Sequence, residues 1–187
     1  MPQRTKGKSD DARWNIADFA FIAACVVISV MLSYVFTHYI AHHTKVEGSS
    51  MNETLSNGDY LIVEKVSYYI HDPERFDIVV FPYSKDVNYI KRIIGMPGEK
   101  LQIIDGKVYI NDRRLEDDIY GKELIEDPGV AAAPIYLSDD EYFVMGDNRN
   151  SSIDSRSDSV GAVKKERIEG KAMYRIWPFS EFGSIGH

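Results

Sequence analysis

The sequence predicts a mainly β protein: an antiparallel β domain carried behind one N-terminal transmembrane helix. Three observations predict it. First, Phe19 to Phe36 contains no charged residue, and the apolar character continues to Ile40. A bilayer crossing takes roughly 20 mainly apolar residues, so the stretch is long enough. Second, from residue 46 onward the chain breaks into short runs rich in Val, Ile, Tyr and Phe, among them "YLIVEKV", "DIVVF", "NYIKRII", "EYFVM" and "AMYRIW". These read as strands. Third, Asp105-Gly106 separates "LQII" from "KVYI". A type I′ hairpin turn wants two residues that tolerate positive φ.

Residues 1–15 are read as a cytoplasmic segment, 16–41 as the anchor helix, and 42–187 as an extracytoplasmic, β-rich domain. A buried core helix would show a polar face, which the apolar run lacks. A removable signal peptide would have a shorter apolar region and an A-x-A-like cleavage site. Trp14, Tyr34 and Tyr39 lie toward the ends of the run, where interfacial aromatics belong. Arg4, Lys6, Lys8 and Arg13 precede it, which orients the N-terminus inward. Asn111-Asp112 suggests a second turn, residues 115–135 a loop-rich connection, and the run from Ser180 a loose tail. "YRIWPFSEF" fits either a membrane interface or, through Trp177 and Phe179, the core.

The net charge is −7, from 22 basic and 29 acidic residues. That argues against nucleic acid, which needs clustered Lys and Arg. The single cysteine, Cys25, lies in the apolar stretch, so neither an intramolecular disulfide nor a Cys-rich metal site is expected. From residue 46 the only histidines are His71 and His187, without metal-ligand spacing and poorly placed as bases. No metal or other cofactor is expected.

"EGSSMNETL" offers two adjacent serines, Ser49 and Ser50, and either could be a nucleophile. In "NYIKRIIG", alternation puts Tyr89, Lys91 and Ile93 on one face and Ile90, Arg92 and Ile94 on the other. A lysine between an aromatic and a β-branched neighbour loses water, and desolvation lowers its pKa. A neutral lysine can take a proton from a serine hydroxyl. The plainer reading of the same pattern makes Lys91 and Arg92 solvated charges on an edge strand. "MGDNRNSSIDSRSDSVG" concentrates small polar and charged groups straight after a strand. Asp154 with Arg156 and Asp147 with Arg149 are the pairs its spacing suggests.

Three stretches, "GSSMNETL" (48–55), "YIKRIIGMPGE" (89–99) and "GDNRNSSIDSR" (146–156), resemble the boxes of type I bacterial signal peptidases. "GDYLIVEK" and "RFDIVVF" resemble the segments between them. The likeness spans most of residues 46–177, in the family's order, behind the family's anchor. It implies that Ser50, immediately before the methionine, is the nucleophile and Lys91 the base. It implies that Ser152 orients the lysine and that Asp154 and Arg156 form a supporting ion pair. The implied fold is a β-rich domain lying against a lipid bilayer. The implied substrates are secretory preproteins with small residues at −1 and −3, met beside the export machinery.

Two departures stand out. Glu53 occupies the place of the family's usual proline. Gly48 stands where some relatives carry a serine that donates to the oxyanion hole, and the short members of the family resemble this chain there. The hole is then expected to use backbone donors around Gly48 and Ser50. The alternatives are an inactive or specialised anchored paralogue that binds or processes a narrow set of exported proteins, and a related Ser-Lys processing protease on the same β-fold.

Overall fold

The computed structural model describes residues 15–35, 40–84 and 87–185. It divides into two units, 1–38 and 39–187. The first holds helix α1, Ile16–Val35, 20 residues long and without a buried residue. Its start is closed reciprocally: Asn15 N–H donates to Asp18 Oδ2 at 2.9 Å and Asp18 N–H to Asn15 Oδ1 at 3.0 Å, a capping-box arrangement. At 1.5 Å per residue the helix is about 30 Å long, the thickness of a bilayer's hydrocarbon core. By length and composition it can cross a membrane. The helix ends six residues short of the expected 16–41 span; residues 36–39 lie outside the described residues, and Ala41 already opens a strand.

The second unit is antiparallel throughout. Its chain order runs β1 (Ala41–Lys45), β2 (Tyr60–Glu64), a one-turn helix α2 (Ser67–Ile70), β3 (Ile78–Ser84), β4 (Val87–Gly95), β5 (Lys100–Ile104) and β6 (Lys107–Ile110). It continues through β7 (Arg113–Arg114), β8 (Ile135–Tyr136), β9 (Glu141–Met145), β10 (Val163–Lys164), β11 (Gly170–Trp177) and β12 (Gly183–Ser184). Among the described residues, a larger sheet has the order β1-β2-β11-β3-β4-β9-β10, with β12 added to β11. A smaller sheet has the order β7-β6-β5-β8.

Turn chemistry sets the smaller sheet. Asp105 (φ 50°) and Gly106 (φ 72°) both take positive φ between β5 and β6, as a type I′ hairpin requires. Asn111 (φ 50°) and Asp112 (φ 66°) do the same between β6 and β7.

Strand alternation sets the core. Along β3, Ile78 and Val80 pack beneath the loop that carries Ser50, with Met51, Leu55 and Ile90. Val79 and Phe81 point the other way, onto Ile93, Tyr142 and Val144. A strand buried on both faces is central, and each such side chain contributes roughly 1.5–3 kcal/mol by leaving water. β4 lies between β3 and β9, so the edge-strand reading of Lys91 and Arg92 is corrected: both are buried, at 3% and 0% exposure. The run from Ser180 is no loose tail as far as Ile185. β12 pairs with β11, and Ile185 N–H bonds to Met173 O at 3.0 Å. Trp177, Phe179 and Phe182 are exposed, which removes them from the core.

Candidate active site

The loop from Val46 to Asp59 is closed at its base by backbone bonds: Val46 N–H to Asp59 O at 2.8 Å and Gly58 N–H to Val46 O at 2.9 Å. Val46, Met51 and Leu55 pin it to the core. Gly48, at φ 95°, turns the chain where a Cβ would be strained. Residues 49–55 then coil through Asn52 N–H to Ser49 O at 3.1 Å and Leu55 N–H to Met51 O at 2.8 Å. Ser49 is exposed and Ser50 half-buried. The geometry thus separates the two serines that the sequence left side by side.

Lys91 reaches this loop from β4. Its Nζ lies 2.7 Å from Ser50 Oγ and 3.1 Å from Ile90 O. The Tyr89 ring, on the same face, has its centroid 4.8 Å from Nζ. Burial pushes the lysine pKa down to about 8, while the nearby carboxylates of Asp154 and Asp147 push it back up. Desolvation disfavours the ammonium, and here it outweighs the attraction of both carboxylates.

Those carboxylates are each held by an arginine. Asp154 accepts from Arg156 Nε and Nη2, both at 2.8 Å, and takes Gly146 N–H at 3.0 Å. Asp147 accepts from Arg92 Nε at 2.8 Å and Nη2 at 2.7 Å. The sequence spacing suggested Arg149 as the partner of Asp147, and this is corrected. Arg149 pairs instead with Asp118, at 2.6 and 2.9 Å, and Asp147 also takes the Thr54 hydroxyl at 2.5 Å. A partner 55 residues away across the sheet cannot be read from local spacing.

Gly146 sits at the tightest point. A Cβ there would lie 2.4 Å from Ser50 O and 2.3 Å from Ser152 Oγ. Ser152 is therefore beside the Ser50 backbone. Its Oγ is buried without a hydrogen-bond partner among the described residues, and no bond joins it to Lys91. Gly48 N–H is taken by Asn57 Oδ1 at 2.9 Å, so that amide is not available as an oxyanion donor. Ser50 N–H is left as the expected donor of the pair.

Glu53 has φ 87°. Proline, fixed near −65°, cannot take this conformation, so the loop follows a different turn from one with proline there. The Glu53 carboxylate pairs with Lys122 at 2.6 Å, which lowers its pKa. A cleft of about 580 Å³ opens over Ser50 and Lys91, lined by Thr44, Val46, Met51 and Tyr89 among others. One wall comes from β1 and its extension, which the sequence reading missed. "AHHTK" carries no run of Val, Ile, Tyr or Phe to signal a strand.

Comparison with known proteins places the chain in a family. The family described as signal peptidase, peptidase S26, matches residues 18–177. A signal peptidase I of Bacillus caldolyticus is 38% identical over 174 residues, covering 87% of this chain and 90% of that protein. The signal peptidase I T of Bacillus subtilis is 37% identical over 163 residues, covering 83% and 84%. A probable signal peptidase I-2 of Synechocystis is 36% identical over 167 residues, covering 86% and 74%. With a match over most of its length and a serine and a lysine 2.7 Å apart in a cleft, the chain belongs to the signal peptidase family, peptidase S26.

Proposed function

We propose that Ser50 is the nucleophile and Lys91 the general base of a serine endopeptidase that removes N-terminal signal peptides from exported preproteins. The observation that carries the reading is the 2.7 Å approach of a buried lysine amine to one serine hydroxyl. At a pKa of about 8, roughly a tenth of the lysine is neutral at pH 7, against about one part in three thousand for an unperturbed one. Neutral Nζ takes the Ser50 proton as Oγ attacks the scissile carbonyl. The oxyanion forms against Ser50 N–H. The ammonium then gives its proton to the leaving amine, and the C–N bond breaks to leave the Ser50 ester. Lys91, neutral again, takes a proton from water as the water oxygen attacks the ester carbonyl, and the ammonium returns that proton to Ser50 Oγ as the C–Oγ bond breaks and the signal peptide leaves as a free acid. Ser152, buried with its hydroxyl unengaged, is available to hold the ammonium between these steps. Asp154 and Arg156 fix Gly146 and, through it, the backbone against Ser50.

The cleft runs beside β1, and Val46, Met51, Val87 and Ile90 give its mixed walls an apolar part. That supports small residues at −1 and −3 of the substrate. Helix α1 tethers the enzyme to the bilayer in which its substrates are held, which raises effective concentration. The basic residues before the helix support an inward N-terminus and an extracytoplasmic domain. Exposed Trp177, Phe179 and Phe182 support contact with the membrane interface, and the export machinery is the expected neighbour.

Cleavage of a secretory preprotein by the detergent-solubilised protein tests the assignment. Wild type is expected to release the mature fragment. Ser50→Ala and Lys91→Ala, with unchanged circular dichroism, are expected to fall by at least about 10³-fold. Wild type that binds several preproteins and cuts none would contradict it, as would turnover retained in Ser50→Ala.

A further inference from the structure

The connection between β7 and β8 was expected to be a loop, and within it one short stretch makes three contacts, each with a charged side chain. Asp118, Tyr120 and Lys122 lie on a bent segment, which Gly121 N–H closes onto Asp118 Oδ1 at 3.2 Å. Ile119 between them is exposed. Asp118 binds the buried Arg149 through both oxygens, at 2.6 and 2.9 Å. The Tyr120 ring covers the Arg92 guanidinium, with Cζ 3.5 Å from the ring centroid, and its other neighbour is Phe76. Lys122 pairs with Glu53. Gly121 lets the segment come this close: a Cβ there would meet Arg149 Nη1 at 2.1 Å.

Each contact leads to Ser50 or Lys91 in one or two further steps. Arg149 Nε donates to Gly146 O at 3.1 Å, and Gly146 packs against Ser50 O. Arg92 follows Lys91 in the chain and holds Asp147, which holds Thr54 of the nucleophile loop. Glu53 is in that loop, in the strained conformation that proline cannot adopt.

We infer that residues 118–122 form a positioning strap: Asp118, Tyr120 and Lys122 clamp the nucleophile loop and the lysine strand in register, supplying the rigidity that a proline at 53 would otherwise give. None of the three touches the reacting atoms. They act on Ser50 and Lys91 through Arg149, Arg92 and Glu53, so the inference rests on the Ser50–Lys91 assignment.

The test uses full-length, detergent-solubilised protein and a signal-peptide substrate, with kcat, KM and thermal midpoint measured for each variant. A displacement of about 1 Å costs on the order of 10²-fold in rate. Tyr120→Ala is therefore expected to lower kcat by roughly 10-fold or more with KM within about two-fold. Tyr120→Phe, which keeps the ring over Arg92, is expected to match wild type. Glu53→Lys, which sets two cations face to face, is expected to lower kcat, and Glu53→Lys with Lys122→Glu to restore it. Both residues of that pair are exposed, so the thermal midpoint should not move. A folded Tyr120→Ala with wild-type kcat would overturn the strap. So would a Glu53→Lys defect that the reversed pair fails to rescue, and this second arm stands if Tyr120→Ala does not fold. Ser50→Ala run alongside separates the two claims: activity surviving there refutes the dyad, whereas a dead Ser50→Ala beside a normal Tyr120→Ala refutes the strap alone.

Discussion

Replacing Lys91 by methionine is expected to abolish turnover and to make the protein more stable at pH 7. The lysine's pKa falls from 10.5 to about 8 on folding because the amine is buried. Below pH 8 both states hold the proton, and the folded protein bears the full cost of a buried ammonium. Between about 8 and 10.5 the unfolded chain keeps a proton that the folded one has released, so stability rises with pH. The shift corresponds to on the order of 3 kcal/mol. Methionine fills similar space with no charge to desolvate. Chemical denaturation should show Lys91→Met more stable than wild type by about 1–3 kcal/mol at pH 7, with the gap closing as pH rises toward 10. A variant less stable than wild type, with a gap that ignores pH, would contradict the burial argument. The Lys91 amine is then a destabilising group that the surrounding fold holds in place.

The second large effect is expected at Arg92. The Arg92–Asp147 pair has no exposed side-chain surface on either partner. Arg92 also donates to Phe76 O at 2.8 Å. Arg92→Ala leaves Asp147 in the interior with its cation gone. Removing one partner of a buried pair costs about 3–5 kcal/mol, because the remaining charge is uncompensated. A loss of that size in denaturant unfolding is the expected result. A loss under about 1 kcal/mol would place the pair in the class of exposed ion pairs instead. Because Asp147 raises the Lys91 pKa, losing the compensating guanidinium should also shift any residual activity to more alkaline pH.

Much of this was legible in the sequence, for physical reasons that can be named. "DIVVF" and "NYIKRII" carry β-branched and aromatic residues, and they became β3 and β4. Asp105-Gly106 and Asn111-Asp112 announced their turns because so few residues accept positive φ. The pair Asp154–Arg156 lies two residues apart, within reach of local reasoning. The errors share a cause, which is that local pattern does not report strand order. Lys91 and Arg92 read as edge charges until β3 and β9 flank them. Asp147 finds Arg92 rather than the nearby Arg149 because β4 and β9 pair. β1 becomes a strand through its bonds to β2, with little help from its own composition. Residues 118–122 matter only for what they touch. Glu53 was visible as a departure, but its φ and its partner Lys122 were not.

The central claim is that a neutral Lys91 activates Ser50. The most direct measurement is kcat/KM against pH, from 6 to 10, for the solubilised protein on a signal-peptide substrate. The free enzyme's base sets the ascending limb. The expected profile rises about ten-fold per pH unit and bends near 8, following the value to which burial lowers the lysine. A limb near 6.5, or a rate independent of pH between 6 and 9, would mean that some other group takes the Ser50 proton.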